Sequence, residues 1–380
     1  MNKKIRIFFQ NLLLVFIVSI ISLILVEILL RLFLPQNLNY TMFDGNLMYK
    51  HTPNLEFRYS RQEFNHLIKF NPKGLRDYEY NYSKGRNIYR ILILGDSFPE
   101  ALQVNLNETF IKILEQKLNG RHKKYEVINA GVGGYGTENE LLFFETEGIK
   151  YNPDLVVLAF ASNDVDDNLF SPLISVKNNK LTKNIPVKIS LPKSFMLYCS
   201  GYFHLCALTQ QVLLQSLKEN EFLRIVFDKL RLSSRGNSKK ITAKSGLDIY
   251  TKENSEIFEK GLNETFLTLL EFGSIMKENN VKFVIFLVPS KEQVDDGLYK
   301  AFLQKYGLNK NDADAVKLQK LVTAFAQSSN ISVINPLGYL KERNINNSFY
   351  FNIDGHFNKN GHKAIADFLY GEMENQKILS

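Results

Sequence analysis

The feature that most narrows the fold is an alternation of short apolar runs with stretches of helical period. Apolar runs at 90–95, 125–129, 155–160, 281–289 and 331–336 are interleaved with helical patterns at about 101–119, 137–148, 252–279 and 311–328, and a last pattern covers about 358–375. Strands alternating with helices imply a parallel sheet covered on both faces, so the sequence predicts an α/β domain built on a five-stranded parallel sheet. With 45% hydrophobic residues over 380 positions, there is ample material for its core. The rhythm breaks between 165 and about 250, where a loop, an amphipathic stretch at about 194–231 and a basic segment replace any βα unit. This insertion follows the third strand, on the side of the sheet where α/β proteins bind ligands.

A second signal precedes the domain. Residues 11–34, NLLLVFIVSIISLILVEILLRLFL, are long enough as a helix to cross a hydrocarbon core of about 30 Å. Lys3, Lys4 and Arg6 precede the run, and after Arg31 no Lys or Arg appears until Lys50. That asymmetry predicts a cytoplasmic N-terminus with everything after the span outside. The competing reading is a cleavable signal peptide, whose apolar region would be shorter and would end in a small-x-small site; here Glu27, Arg31 and Pro35 follow, which favours a retained anchor. Glu27 and Arg31, spaced i and i+4, are expected to pair in the headgroup region. The chain thus divides into a cytoplasmic 1–10, an anchor at 11–34, a turn-rich segment at 35–88 expected to wrap the domain, and the domain itself at 89–380.

The remaining composition excludes more than it assigns. Cys199 and Cys206, if they share one helix, lie two turns apart and too far for a disulfide, so they are expected as small buried hydrophobes. No Cys/His spacing suggests a metal, and no cofactor is expected. Part of the net charge of +8 is local: residues 229–244 hold six basic and no acidic residues. A solvated loop is expected there rather than a contact with an anionic polymer or lipid headgroups, and a nucleic-acid partner does not suit the outward topology. The oligomeric state is not legible.

Four short stretches fall at strand ends or before the last helix. Gly95-Asp96-Ser97 ends the first strand, placing a hydroxyl at a helix N-terminus, where backbone N–H groups favour a developing anion. NAGVGGYGT, 129–137, matches a dinucleotide-binding pattern through Gly131, Gly133 and Gly136, but it follows the second strand and its acidic candidate, Asp154, lies before the third; its glycines fit better as a loop presenting N–H groups. Asn163 and Asp164 leave the third strand, where the Asn amide is able to donate a hydrogen bond. Asp354 and His356 lie two apart, and an extended segment would point both the same way, letting the carboxylate orient an imidazole that takes a proton from Ser97. His362, inside the last helix, is expected to be structural.

At these places the chain resembles the SGNH hydrolases, also called the GDSL esterase and lipase family: GDSF at 95–98, NAGVGG at 129–134, SND at 162–164 and DGHFN at 354–358, in family order. The resemblance implies a three-layer, flavodoxin-like α/β/α fold and a serine esterase. It implies Ser97 as nucleophile, His356 as base and then acid, Asp354 as its orienting partner, and an oxyanion hole of the Ser97 and Gly134 N–H groups and the Asn163 side chain. Many members have two residues between the last Asp and His, whereas Gly355 stands alone here, a spacing similar to that of membrane-anchored envelope members and their acetyl-transferring relatives. The substrate implied is an O-acyl, expectedly O-acetyl, ester on an envelope carbohydrate or a related small ester. The same triad would serve an O-acyltransferase, and a silent glycan-binding protein is a third reading.

Overall fold

The computed structural model describes residues 3–36, 38–120, 124–178, 180–220, 247–345 and 348–379. The basic segment 229–244 lies outside the described residues. The chain divides into two compact units, one of Met1–Phe43 with Lys188–Gly236 and one of Asp44–Val187 with Asn237–Ser380.

The larger unit holds five parallel strands: β1 Ile88–Gly95, β2 Lys124–Gly131, β3 Leu155–Phe160, β4 Lys282–Leu287 and β5 Ser332–Ile334. Their spatial order is β5-β4-β3-β1-β2, the flavodoxin-like arrangement, in which the sheet reverses direction beside its first strand. Alternate residues of each strand serve opposite faces. Leu92, Leu94, Ile128, Val156, Leu158 and Ile285 belong to one apolar cluster, together with Leu141 and Phe144 of helix Thr137–Thr146, Phe258 and Phe272 of helix Glu256–Glu278, and Val322 of helix Lys317–Ser328. Ile91, Ile93, Val127, Val157, Ala159 and Phe286 belong to the other, with Phe110 and Leu114 of helix Phe110–Leu118 and Ile365 and Leu369 of helix Lys359–Asn375. The fold is therefore a three-layer α/β/α sandwich, with strands apolar on both sides because both sides are covered.

Register positions the site. Gly95 at the end of β1 pairs with Gly131 of β2 and Ala159 of β3, so the loops after these three strands leave the sheet at one level. Two elements differ from the sequence pattern. Instead of one helix over 101–119, a four-residue helix Ser97–Glu100 ends at Ala101, whose φ is 55°, and a new helix starts at Phe110, capped by the Thr109 side chain. A helix Asp296–Tyr306 also forms where no apolar period predicts one, because only Leu303 on it is buried. Upstream of β1, Glu56–Ser60 and Asn65–Lys69 form an antiparallel hairpin.

In the smaller unit the N-terminal run forms one helix, Lys3–Phe33, long and apolar enough to cross a membrane. The insertion contributes helices Leu191–Tyr202 and His204–Glu219. Here the expectation for the cysteines is corrected: Cys199 and Cys206 form a disulfide, with their Cα atoms 5.7 Å apart. They do not share a helix. Phe203 between them is extended, at φ −121° and ψ 126°, so the chain turns and brings the cysteines of two successive helices together.

Candidate active site

The buried strand β1 delivers Gly95 to the sheet edge, and Gly is the residue the turn admits there: a Cβ would lie 2.5 Å from Pro99 Cγ and 3.0 Å from Ala159 Cβ. Asp96 then caps the short helix, its Oδ1 accepting the Phe98 N–H at 3.0 Å. This fixes Ser97 at the first helical position. Neither the Ser97 nor the Gly134 N–H donates to another described group, so both remain available to an incoming oxygen.

The segment before the last helix reaches Ser97 from the other side. His356 Nε2 lies 2.7 Å from Ser97 Oγ, and His356 Nδ1 lies 2.6 Å from Asp354 Oδ1. With the Nδ1 hydrogen donated to the carboxylate, Nε2 is an acceptor for the serine hydroxyl. The path is not the extended one expected from the i, i+2 spacing. Gly355 sits at φ +86° and its N–H donates to Phe351 O, so the chain turns tightly; the Asp354 Oδ1 also accepts the His356 N–H at 3.3 Å. A single glycine thus does the work of a longer spacer.

Burial opposes charge on Asp354, but hydrogen bonds and attraction from His356, with a further hydrogen bond from Gln103, hold its carboxyl below the usual range. It is therefore an anion at neutral pH. Its loop is held by Glu63, in the turn of the upstream hairpin: the Glu63 carboxylate accepts the N–H groups of Asn352, Ile353 and Asp354 at 2.8, 3.0 and 2.8 Å. Lys291 Nζ adds a bond to Asn352 O at 3.0 Å. The Phe98 ring lies 4.9 Å from that of His356.

Asn163 approaches the nucleophile turn through Asp96, its Nδ2 donating to Asp96 Oδ2 at 3.0 Å and to Asp167 Oδ2 at 2.8 Å. Both amide hydrogens are thus directed at carboxylates. An oxyanion would take the hydrogen now given to Asp167, the less buried of the two acids. Burial first, then the charge of Asp96, raises the Asp167 carboxyl to about 6, against the lowering effect of the Asn163 bond. Asp164 points away into the interior. It and Glu140 are fully buried, have no hydrogen-bond partner among the described residues, and are both held well above the carboxylate range by burial and mutual repulsion.

Beneath the nucleophile helix, the glycine-rich loop is a seat more than a donor array. A Cβ on Gly131 would lie 2.4 Å from Glu100 N, and one on Gly133 would lie 2.7 Å from Glu100 Oε2. Asn129 Nδ2 donates to Pro99 O at 2.8 Å, and buried Arg76 donates to the carbonyls of Glu100, Ala101 and Val104. Glu100 also meets fully buried His51, whose Nε2 lies 2.7 Å from Oε1 and whose Nδ1 lies 2.9 Å from Gly74 O. A carbonyl only accepts, so Nδ1 carries a hydrogen, and one further proton is shared between Nε2 and the carboxyl. Either placement leaves the pair neutral overall, which suits its burial.

Ser97, His356 and Asp354 are therefore brought together, with Asn163 one hydrogen bond from the nucleophile turn. His362 is remote from this chemistry: its Nδ1 accepts the Phe110 N–H at 3.2 Å, and burial lowers it to about 3. Glu63, Gln103, Asp167, Arg76 and the His51–Glu100 pair carry no motif that singles them out in the sequence.

No protein-family model and no curated protein matches the chain. Among solved structures, an acetyl xylan esterase, AlAXEase, is 14% identical, with a TM-score of 0.39 over 74% of this chain and 98% of that one. A GDSL-like lipase from Bacteroides thetaiotaomicron is 14% identical, with a TM-score of 0.36 over 76% and 88%. A lipase/acylhydrolase from Enterococcus faecalis is 14% identical, with a TM-score of 0.39 over 76% and 96%.

Proposed function

We propose that the chain is a serine ester hydrolase of the SGNH type, held at a membrane by its N-terminal helix and acting on O-acyl, most plainly O-acetyl, esters of an extracytoplasmic carbohydrate. The observation that carries the reading is the continuous hydrogen-bonded path from Ser97 through His356 to Asp354, with both links under 3 Å. In the mechanism, His356 Nε2 takes the Ser97 proton as Oγ attacks the ester carbonyl. The Ser97 and Gly134 N–H groups, with an Asn163 hydrogen released from Asp167, bind the tetrahedral oxyanion. His356 then protonates the departing alkoxide, giving an acyl-Ser97 and the free alcohol. A water, deprotonated by His356, attacks the acyl carbon, and the serine leaves with its proton restored.

A polymeric substrate suits side chains that remain accessible: His356 is one quarter exposed and Asp354 about one fifth. Location outside the cytoplasm is supported by the basic residues before the span and by the Cys199–Cys206 disulfide, since disulfides persist in oxidising compartments.

The test is to purify the full chain in detergent, treat it with a fluorophosphonate probe and 4-nitrophenyl acetate, and compare Ser97→Ala. Labelling mapped to Ser97 and hydrolysis lost in the variant are expected; hydrolysis by the variant at the native rate would overturn the serine mechanism. Supplying a glycan acceptor extends the test to the last step. Acylated sugar exceeding free acid in the products would make the protein a transferase.

A further inference from the structure

Helix Leu191–Tyr202 of the smaller unit exposes Leu191, Phe195, Tyr198 and Tyr202, at 86, 69, 62 and 48% of their surfaces. Their spacing of four, three and four places them within an arc of about 60° at 3.6 residues per turn. Cys199 and Ser200, toward the other side, are buried. Large apolar side chains gathered in one stripe, with tyrosines at one end, do not belong in water.

The same unit identifies what covers them. The junction between this helix and His204–Glu219 is tied to the end of the N-terminal helix and the chain leaving it. Glu27, on that helix, accepts the N–H groups of His204 and Leu205 at 3.0 and 2.9 Å, capping the first turn of the second helix. Arg31, paired with Glu27 at 2.7 Å, donates to Tyr202 O at 2.8 Å. Gln36 N donates to His204 Nδ1 at 2.8 Å and Asn39 N to Ser200 O at 3.0 Å. The Cys199–Cys206 bond closes the corner. Glu27 and Arg31 lie within about 9 Å of Phe33 at 1.5 Å per residue, the depth at which a span that begins near residue 11 meets the headgroups. The ion pair is thus a clamp that fixes the corner of the helix pair at the membrane surface.

We propose that helix Leu191–Tyr202 is a second membrane-contacting element, lying in the bilayer interface with Leu191, Phe195, Tyr198 and Tyr202 among the lipid headgroups and upper acyl chains. The occupant of the stripe is lipid, because the apolar surface of the anchor is continuous with the joint that holds it and because Tyr is enriched at that depth. The proposal rests on the anchor reading. One transmembrane helix leaves a protein free to rotate and tilt about its exit point, and an interfacial helix clamped to that exit removes this freedom.

The experiment reconstitutes the full chain in phosphatidylcholine–phosphatidylglycerol vesicles, with a nitroxide on single added cysteines at Leu14, Phe195, Tyr198 or Lys305, leaving the native disulfide oxidised. Collision with oxygen, which partitions into lipid, is compared with collision with a water-soluble nickel chelate. At Phe195 and Tyr198 the oxygen-to-nickel ratio is expected to be several-fold above that of exposed Lys305 and below that of Leu14. A ratio equal to that of Lys305, with Leu14 still in lipid, overturns the proposal and leaves the anchor standing. A label at Leu14 that reads as aqueous overturns the anchor reading and the proposal with it. Shielding of Phe195 and Tyr198 from both reagents overturns the proposal in favour of a protein contact, such as a second copy of the chain. Two labelled positions guard against a local folding defect at either one.

Discussion

The two halves of the candidate site are built in opposite ways. Ser97 stands at the end of a buried strand, on a four-residue helix whose seat is made by Asn129, Arg76 and the glycines of the second loop. His356 and Asp354 stand on a partly exposed turn held by Gly355, Glu63 and Lys291. Electrostatics divide along the same line. On the nucleophile side the buried acids Asp96, Glu138, Glu140 and Asp164 are pushed up, mainly by burial, whereas Asp354 on the base side is held down by His356. The nucleophile is placed by packing and the base by polar contacts, so lesions on the two sides should separate into losses of stability and losses of rate.

The largest effect tests whether the halves act as one unit. His356→Ala removes the acceptor of the serine proton and should lower kcat for 4-nitrophenyl acetate by on the order of 10⁴–10⁶, with an unchanged melting temperature. Adding Ser97→Ala to it should cost little more, since the residues act in one step. Multiplicative losses in the double variant would mean that the two side chains work separately.

Next in size is a lesion confined to the nucleophile side. Leu92 is fully buried in β1, with both neighbouring strands in register with it. Leu92→Ala should destabilise the domain by about 2–5 kcal/mol, read by denaturant titration. In the molecules that remain folded, kcat should be nearly native. A large kcat loss without destabilisation would show that the strand tunes the serine directly rather than merely holding it.

The buried acids give the comparison a sign. Burial, then repulsion from Glu264, raises Glu138 from an ordinary 4.5 to about 8, against hydrogen bonds from Ser171 and Ile174. Between pH about 4.5 and 8 the folded state therefore binds more protons here than the unfolded one. This contribution is fully present below that window and is lost as pH rises through it, by up to a few kcal/mol. Asp354 runs the other way: its lowered carboxyl stabilises above the unfolded value and loses that contribution as pH falls. Glu138→Gln should flatten the fall in stability between pH 5 and 8, measured by thermal melts across that range. An unaltered profile would remove Glu138 from the account.

What was legible in the sequence follows this same division. The five strands and most of their helices announce themselves because a doubly covered sheet needs continuous apolar runs, and Ser97, Asn163, Asp354 and His356 fall at the strand ends or before the last helix. The helix Asp296–Tyr306 was not legible because it buries almost nothing. The disulfide was hidden by one residue: with Phe203 helical the cysteines sit two turns apart, and with Phe203 extended they meet. Asp167 could not be anticipated as an acceptor for Asn163, since that contact competes with the very role the motif implies. Glu63 is the clearest omission. It acts on backbone N–H groups 289 to 291 positions away, and backbone leaves no side-chain signature to match.

Glu63 also supplies the smallest and most discriminating prediction, because it belongs to the hairpin yet acts on the base-side turn. One carboxylate accepting three successive N–H groups holds Asn352, Ile353 and Asp354 in a single arrangement, and Asp354 in turn orients His356. Glu63→Ala should let that turn relax. A misplacement on the order of 1 Å can cost about 10²-fold in rate, so kcat is expected to fall by roughly 10–100-fold, with KM changing little. Glu63→Gln keeps an acceptor oxygen and should recover part of the loss, whereas Glu63→Lys, of similar length, should recover none. Because the turn is on the surface and its contacts are polar, the melting temperature should barely move. A fall in melting temperature with kcat unchanged would make Glu63 a structural tie, and the base would then be held by Gly355 and Gln103 without help from the hairpin.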